Sequence, residues 1–228
     1  MIEFVFLDLD DTILDFHKAE RLGIAKTFRQ MGIEPTEAVL QRYHTINQEC
    51  WKQLEKGLMT RQEVLVQRFF RLFEELGVNA DAALCAKTYE KNLSEGHYFL
   101  PGAEEAVIRL SKQYRLFIAS NGTASVQHGR LTSANLYRWF EKIFISQELG
   151  INKPDAKFFR LAFDQIPDFD PKKAIMVGDS LSSDIQGGIN AGLTTCWVNP
   201  AHAPADPAIP ADYEIENITQ LEVLLQAL

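Results

Sequence analysis

Residues Phe4–Leu7 run without a break into Asp8, Asp10 and Asp11, reading FVFLDLDDTIL from Phe4 to Leu14. Ile2–Leu9 is short, apolar and rich in aromatic and branched residues, the pattern of a strand buried on both faces, and such strands belong to parallel sheets covered by helices. Delivering carboxylates at the end of such a strand is unfavourable by itself. Two of them about 4 Å apart repel by roughly 4 kcal/mol at an effective dielectric near 20. A chain that does this needs compensating positive charge from elsewhere in its fold.

The remaining sequence divides into two rhythms. From Phe16 to Tyr98 the apolar positions recur at helical spacing, as in Val64, Leu65, Phe69, Leu72, Phe73 and Leu76, with punctuation near Gly32–Pro35, Gly57 and Gly77. Four helices are expected there and no strand. From Leu100-Pro101-Gly102 onward, short apolar runs alternate with helical stretches. The runs Arg115–Ser120, Lys142–Ser146, Ala174–Gly178 and Thr194–Val198 read as strands. The stretches 104–113, 123–135, 155–165 and 182–191 read as helices, with Pro154 at a first helical position. Thr219-Gln220-Leu221-Glu222 has the form of a capping box opening a last helix. The expected fold is α/β: a doubly wound, parallel-sheet, Rossmann-like core built from residues 1–15 and 99–228, with an inserted all-helical cap over residues 16–98.

Net charge sets limits on partners. With 23 basic and 31 acidic residues the chain carries −8, which argues against general nucleic-acid or anionic-membrane binding. Cys50, Cys85 and Cys196 are odd in number and widely spaced, which fits reduced thiols in a cytoplasmic protein better than disulfides or structural zinc. No apolar stretch approaches the ~20 residues needed to span a bilayer.

In a parallel sheet the carboxyl ends of the strands meet on one edge, where open α/β sheets bind ligands. The residues expected there are Asp8, Asp10 and Thr12, then Ser120-Asn121-Gly122, Asn152-Lys153-Pro154, and Gly178-Asp179 with Asp184. Four carboxylates, one ammonium and small hydrogen-bonding groups make a site for a hard divalent cation and a phosphate. Other readings exist for each piece: Ser120-Asn121-Gly122 is also a turn and helix cap, and Asp184 also suits the positive end of a helix.

DLDDT, the strand-ending Ser-Asn-Gly, Lys-Pro and GDSLSSD match, in order, the four motifs of the haloacid dehalogenase-like phosphohydrolases. The helical insert after the first motif resembles that family's alpha-helical cap. The resemblance implies Asp8 as nucleophile through an aspartyl-phosphate, and Asp10 as general acid and then base. It implies phosphate held by Ser120 and the backbone near Asn121, and Lys153 balancing charge. It implies Mg²⁺ on Asp8, the backbone carbonyl of Asp10 and Asp179, with Asp184 in support. An acid at position 10 favours phosphate esters over dehalogenation. Gly178–Pro200, the stretch Asn47–Trp51 and Leu100–Ala103 resemble the pyrimidine 5′-nucleotidase branch. The expected substrate is therefore a nucleoside monophosphate, handled by a monomer or homodimer. The alternatives are a sugar-phosphate or phosphoglycolate phosphatase, a phosphomutase, or a non-enzymatic phospho-accepting regulator. Asn47 and Trp51 lie four apart on one helical face; base recognition and packing of the cap interior are both open for them.

Overall fold

The computed structural model describes residues 1–228, the side chain of Glu55 apart. The chain divides into two compact units, residues 1–16 with 97–228 and residues 17–96.

The larger unit is built on six strands: β1 (Phe4–Leu7), β2 (Arg115–Ser120), β3 (Lys142–Ile145), β4 (Ala174–Gly178), β5 (Thr194–Val198) and β6 (Tyr213–Ile215). Their order is β3-β2-β1-β4-β5-β6, and every neighbouring pair is parallel. β1 is central and fully buried along its length. Its alternation sorts the core into two layers. Val5 and Leu7 join Leu116, Ile118, Ile175 and Val177 in one. Phe4 and Phe6 join Phe117, Phe144, Phe158, Phe159 and Met176 in the other. The second layer is largely aromatic, and Phe6 alone stacks with or edges onto Phe117, Phe144, Phe159, Phe163 and Phe169.

The smaller unit takes most of α1 (Phe16–Gln30), then α2 (Glu37–Glu55), α3 (Arg61–Leu76) and α4 (Ala82–Ser94). Local signals start these helices. Thr36 caps α2, Asp81 caps α4, and Thr60 with Glu63 forms a reciprocal capping box at α3. Gly77 ends α3 at φ 62°, a left-handed position that suits glycine. The interior is an aromatic cluster of Phe28, Tyr43, Phe69 and Tyr89. Of the apolar positions expected to pack α3, Leu65 is half-buried and Leu76 is exposed. Arg68 takes an inner place instead, its guanidinium 5.2 Å from the Phe69 ring and 5.0 Å from the Tyr89 ring.

The larger unit also holds α5 (Ala103–Leu110), α6 (Ala124–Ser133), α7 (Ser146–Leu149), α8 (Ala156–Phe163), α9 (Gln186–Ala191) and α10 (Leu221–Gln226). α5 and α10 cover the Val5 face and α8 the Phe6 face. Several local expectations change. Pro154 lies two residues before α8, because Asp155 is the cap whose side chain accepts from Lys157 N. The chain after Asn217 makes a 3₁₀ turn before α10, and Asn217, not Thr219, supplies the capping oxygen. Glu222, expected to close the box, instead pairs with Arg109 at 2.8 Å. Residues Leu181–Ile185 form a wider π turn ahead of α9. β6 went unforeseen because three residues behind a Pro- and Ala-rich loop carry too little periodicity to read. No helix among the described residues is long and apolar enough to cross a membrane.

Candidate active site

The sheet order reverses direction of growth at β1, with β2 on one side and β4 on the other, and a crevice opens at such a switch point. Asp8 leaves β1 there, its N–H still bonded to Val177 O at 2.9 Å. It follows Phe4 and Phe6 in the alternation, so its carboxylate stands above the aromatic layer. Lys153 meets it: Nζ lies 2.8 Å from Asp8 Oδ1, 2.5 Å from Asp184 Oδ1 and 2.5 Å from the carbonyl oxygen of Ala119. Lys153 is 1% exposed and Asp184 1%. A buried ammonium shared by two carboxylates and a carbonyl is the compensating charge that the acidic strand end demands.

Lys153 is held by its own backbone. Asn121 accepts from Lys153 N through Oδ1 and donates through Nδ2 to Lys153 O, both at 2.9 Å, and it also donates to Ser183 Oγ. The Asn121 carboxamide is thus committed to positioning the lysine loop. Asp184 is fixed in turn by Ser180 N, which donates to Oδ2 at 3.1 Å. Gly178 at the end of β4 makes room for this carboxylate: a β-carbon there would lie 2.2 Å from Asp184 Oδ2.

The strand geometry that would aim Asp8 and Asp10 alike ends at Leu7. Beyond it Leu9 O accepts from both Ile13 N and Leu14 N, and Asp11 turns at φ 54° with Oδ1 accepting from Phe16 N. Asp10 is consequently oriented by α6. Arg130 Nη1 donates to Asp10 Oδ1, and Gln127 Nε2 donates to Oδ2 at 2.8 Å. Gln127 Nε2 also reaches Ser120 Oγ at 2.7 Å, which accepts from Gly122 N as well. Gly122 is needed for this approach, since a β-carbon there would lie 2.4 Å from Gln127 Nε2. Sequence reasoning missed Gln127 and Arg130. The available signal was their spacing of three on one face of the helix that follows Ser120.

Asp8, Asp179 and Asp184 each place a carboxylate oxygen within 4.8 Å of the others. Burial, then repulsion from Asp184 and Asp10, outweigh the attraction of Lys153 and push the Asp8 carboxyl up to about 8. Burial likewise raises Asp179 well above its ordinary value, helped by Asp184, Asp8 and Asp11. For Lys153 burial acts the other way, but Asp184 and Asp8 prevail and hold the ammonium above its ordinary value. Three converging hard oxygen donors, with two of the acids reluctant to ionise in their own company, fit a divalent ion such as Mg²⁺.

In the smaller unit Asn47 is 2% exposed. Its Oδ1 accepts from Trp51 Nε1 at 3.1 Å and from Arg68 Nη1 at 2.9 Å, while Nδ2 donates to Glu20 Oε1 at 2.6 Å. Trp51 is half-buried, with the Arg61 guanidinium 5.4 Å from its ring.

Known proteins share both the sequence and the architecture. The chain is 40% identical to the HAD-hydrolase YfnB of Bacillus subtilis over 97% of its own length and 94% of that protein's. The crystal structure of YfnB bound to magnesium superposes with a TM-score of 0.94, covering 98% of each chain. The pyrimidine 5′-nucleotidase PynA of Streptococcus pneumoniae is 36% identical, over 96% of this chain and 93% of that one. The pyrimidine 5′-nucleotidase YjjG of Escherichia coli is 30% identical, over 98% and 97%. The sequence profile of the haloacid dehalogenase-like hydrolases matches residues 5–198. With that match running from β1 through β5 and taking in every acid of the crevice, the chain belongs to the haloacid dehalogenase-like hydrolase family.

Proposed function

We propose that this phosphoric monoester hydrolase is a Mg²⁺-dependent 5′-nucleotidase that takes pyrimidine nucleoside monophosphates and works through an aspartyl-phosphate on Asp8. The observation that carries the reading is the Lys153 ammonium bridging Asp8 and Asp184 through hydrogen bonds of 2.8 and 2.5 Å. It gives a nucleophile whose carboxylate form Lys153 and a bound ion would together stabilise. The likeness to two pyrimidine 5′-nucleotidases supports the choice of leaving group, and the magnesium-bound relative supports the choice of ion.

Asp8, Asp179 and the carbonyl of Asp10 would hold the ion, with Asp184 behind Lys153. When bound, the ion neutralises charge on the phosphoryl oxygens. Asp8 attacks phosphorus and the ester oxygen departs with a proton from Asp10, whose carboxyl Arg130 and Gln127 hold in place. Asp10 then takes a proton from the water that hydrolyses the acyl phosphate, returning Asp8 as a carboxylate. Ser120, whose Oγ accepts from Gln127, would donate its hydroxyl proton to a phosphate oxygen.

The test is a panel of UMP, dUMP and dTMP beside sugar phosphates and phosphoglycolate at equal concentration with Mg²⁺. Preference for the nucleotides, lost with EDTA and with Asp8→Asn, is the expected result. Preference for phosphoglycolate or a sugar phosphate overturns the substrate reading. A bisphosphate product would indicate a mutase, and no turnover of any ester would indicate a phospho-accepting regulator.

A further inference from the structure

The helical unit carries a second ligand set that the phosphatase chemistry does not use. His17 and Glu20 are three residues apart on α1, and His44 comes from α2. Each offers one ligand atom, and these atoms all lie within 4.8 Å of one another. They line a cavity of about 170 Å³ together with Arg21, Ile24, Leu40, Gln41 and Tyr43. The Glu20 side chain is only 4% exposed, whereas that of His44 is 26% exposed. We propose that His17, Glu20 and His44 form a metal site that takes a borderline transition-metal dication, Zn²⁺ above all, with the cavity supplying a fourth, solvent ligand.

Three observations support this. Two imidazoles and one carboxylate make a donor set that suits Zn²⁺ and its neighbours and not Mg²⁺, which prefers oxygen throughout. Glu20 already has the outer partner that metal-bound carboxylates require: Asn47 Nδ2 donates to Oε1 at 2.6 Å, and Arg68 and Trp51 pin Asn47 in turn. The nearest cation in the cavity wall, Arg21, is turned onto Glu37 at 2.7 Å, which limits its repulsion of a second positive charge. One pair of donors must separate for the ion to enter. His44 Nδ1 and Glu20 Oε2 now lie 2.5 Å apart, whereas two ligands of a tetrahedral zinc stand about 3.3 Å apart. Side-chain rotation of under about 1 Å opens the pair.

Co²⁺ reports such a site directly, through visible absorption whose intensity reflects its coordination. Full-length protein carrying Asp8→Asn and Asp179→Asn, to silence the crevice, is titrated with Co²⁺ and then Zn²⁺ under saturating Mg²⁺. One equivalent of Co²⁺ with a four-coordinate spectrum, displaced by Zn²⁺, is expected. His17→Ala, at an exposed position, should abolish the spectrum without unfolding the chain. Asn47→Ala should weaken binding about 10–100-fold. Zn²⁺ should raise the melting temperature of the parent but not of His17→Ala. Absence of the spectrum, or its survival unchanged in both His17→Ala and His44→Ala, overturns the assignment.

Discussion

Lys153 Nζ and Asp8 Oδ1 are 2.8 Å apart although 145 positions of sequence separate them. The pair is buried, and Asp184 shares the ammonium. Removing one member of a buried ion pair leaves the other uncompensated, at a cost of roughly 3–5 kcal/mol. Lys153→Met is therefore expected to lower the melting temperature and to cut turnover by at least about 100-fold, the scale of losing one charge-stabilising donor. Initial rates with p-nitrophenyl phosphate and a thermal melt check both. Turnover within threefold of the parent would remove Lys153 from the chemistry.

Asp10 depends on Arg130 and Gln127 for its orientation. Proton donation matters most when the leaving group is a poor one, and it contributes on the order of 100-fold or more. Arg130→Met should reduce hydrolysis of a nucleoside monophosphate by about 100-fold but that of p-nitrophenyl phosphate by less than about 10-fold. Equal losses on both esters would mean that Arg130 serves folding alone.

The raised carboxyl of Asp8 links stability to pH. Its folded value of about 8 lies above its ordinary value of 3.8, so the folded state binds the proton more tightly than the unfolded chain. The corresponding stabilisation is full below about pH 4 and is lost as pH rises toward 8. Asp179 shifts in the same direction. Metal-free protein should therefore lose this contribution across that window, and the stabilisation by Mg²⁺ should grow, because the ion needs these acids ionised. Melts with EDTA and with Mg²⁺ at several pH values measure the difference. A gap between the two curves that narrows with rising pH would contradict the account.

Gly178 lends its missing β-carbon to Asp184. Gly178→Ala forces that carboxylate aside and should cost about 1–3 kcal/mol, as overpacking does elsewhere. Turnover should fall with it, because Lys153 loses its second anchor. Denaturant unfolding beside a rate measurement checks this; an unchanged midpoint and rate would show that the crevice can relax around the methyl group.

Much of the molecule was legible in one dimension because its signals are local. Four of the six strands lie within a residue of the apolar runs that announce them, while β1 is a shorter core of its run. Thr60 with Glu63, and Asp81, start helices by bonding to backbone only two or three positions away, although they were not singled out from the sequence. The acids of the crevice could be found because each closes or follows a strand, and in a parallel sheet those ends must meet. What lay outside the reach of pattern was pairing. That Asp10 turns to Arg130, that Asn121 clasps the backbone of Lys153, and that the buried Arg68 lies over the Tyr89 ring are all long-range contacts. They arise because a buried polar group must find its partner wherever the packed chain brings one within about 3 Å. Residue identity and order determined which elements form and which chemical groups reach the sheet edge. Only the tertiary structure decided which of those groups neutralise one another, since electrostatic and hydrogen-bond partners are chosen by distance in space and by exclusion of water.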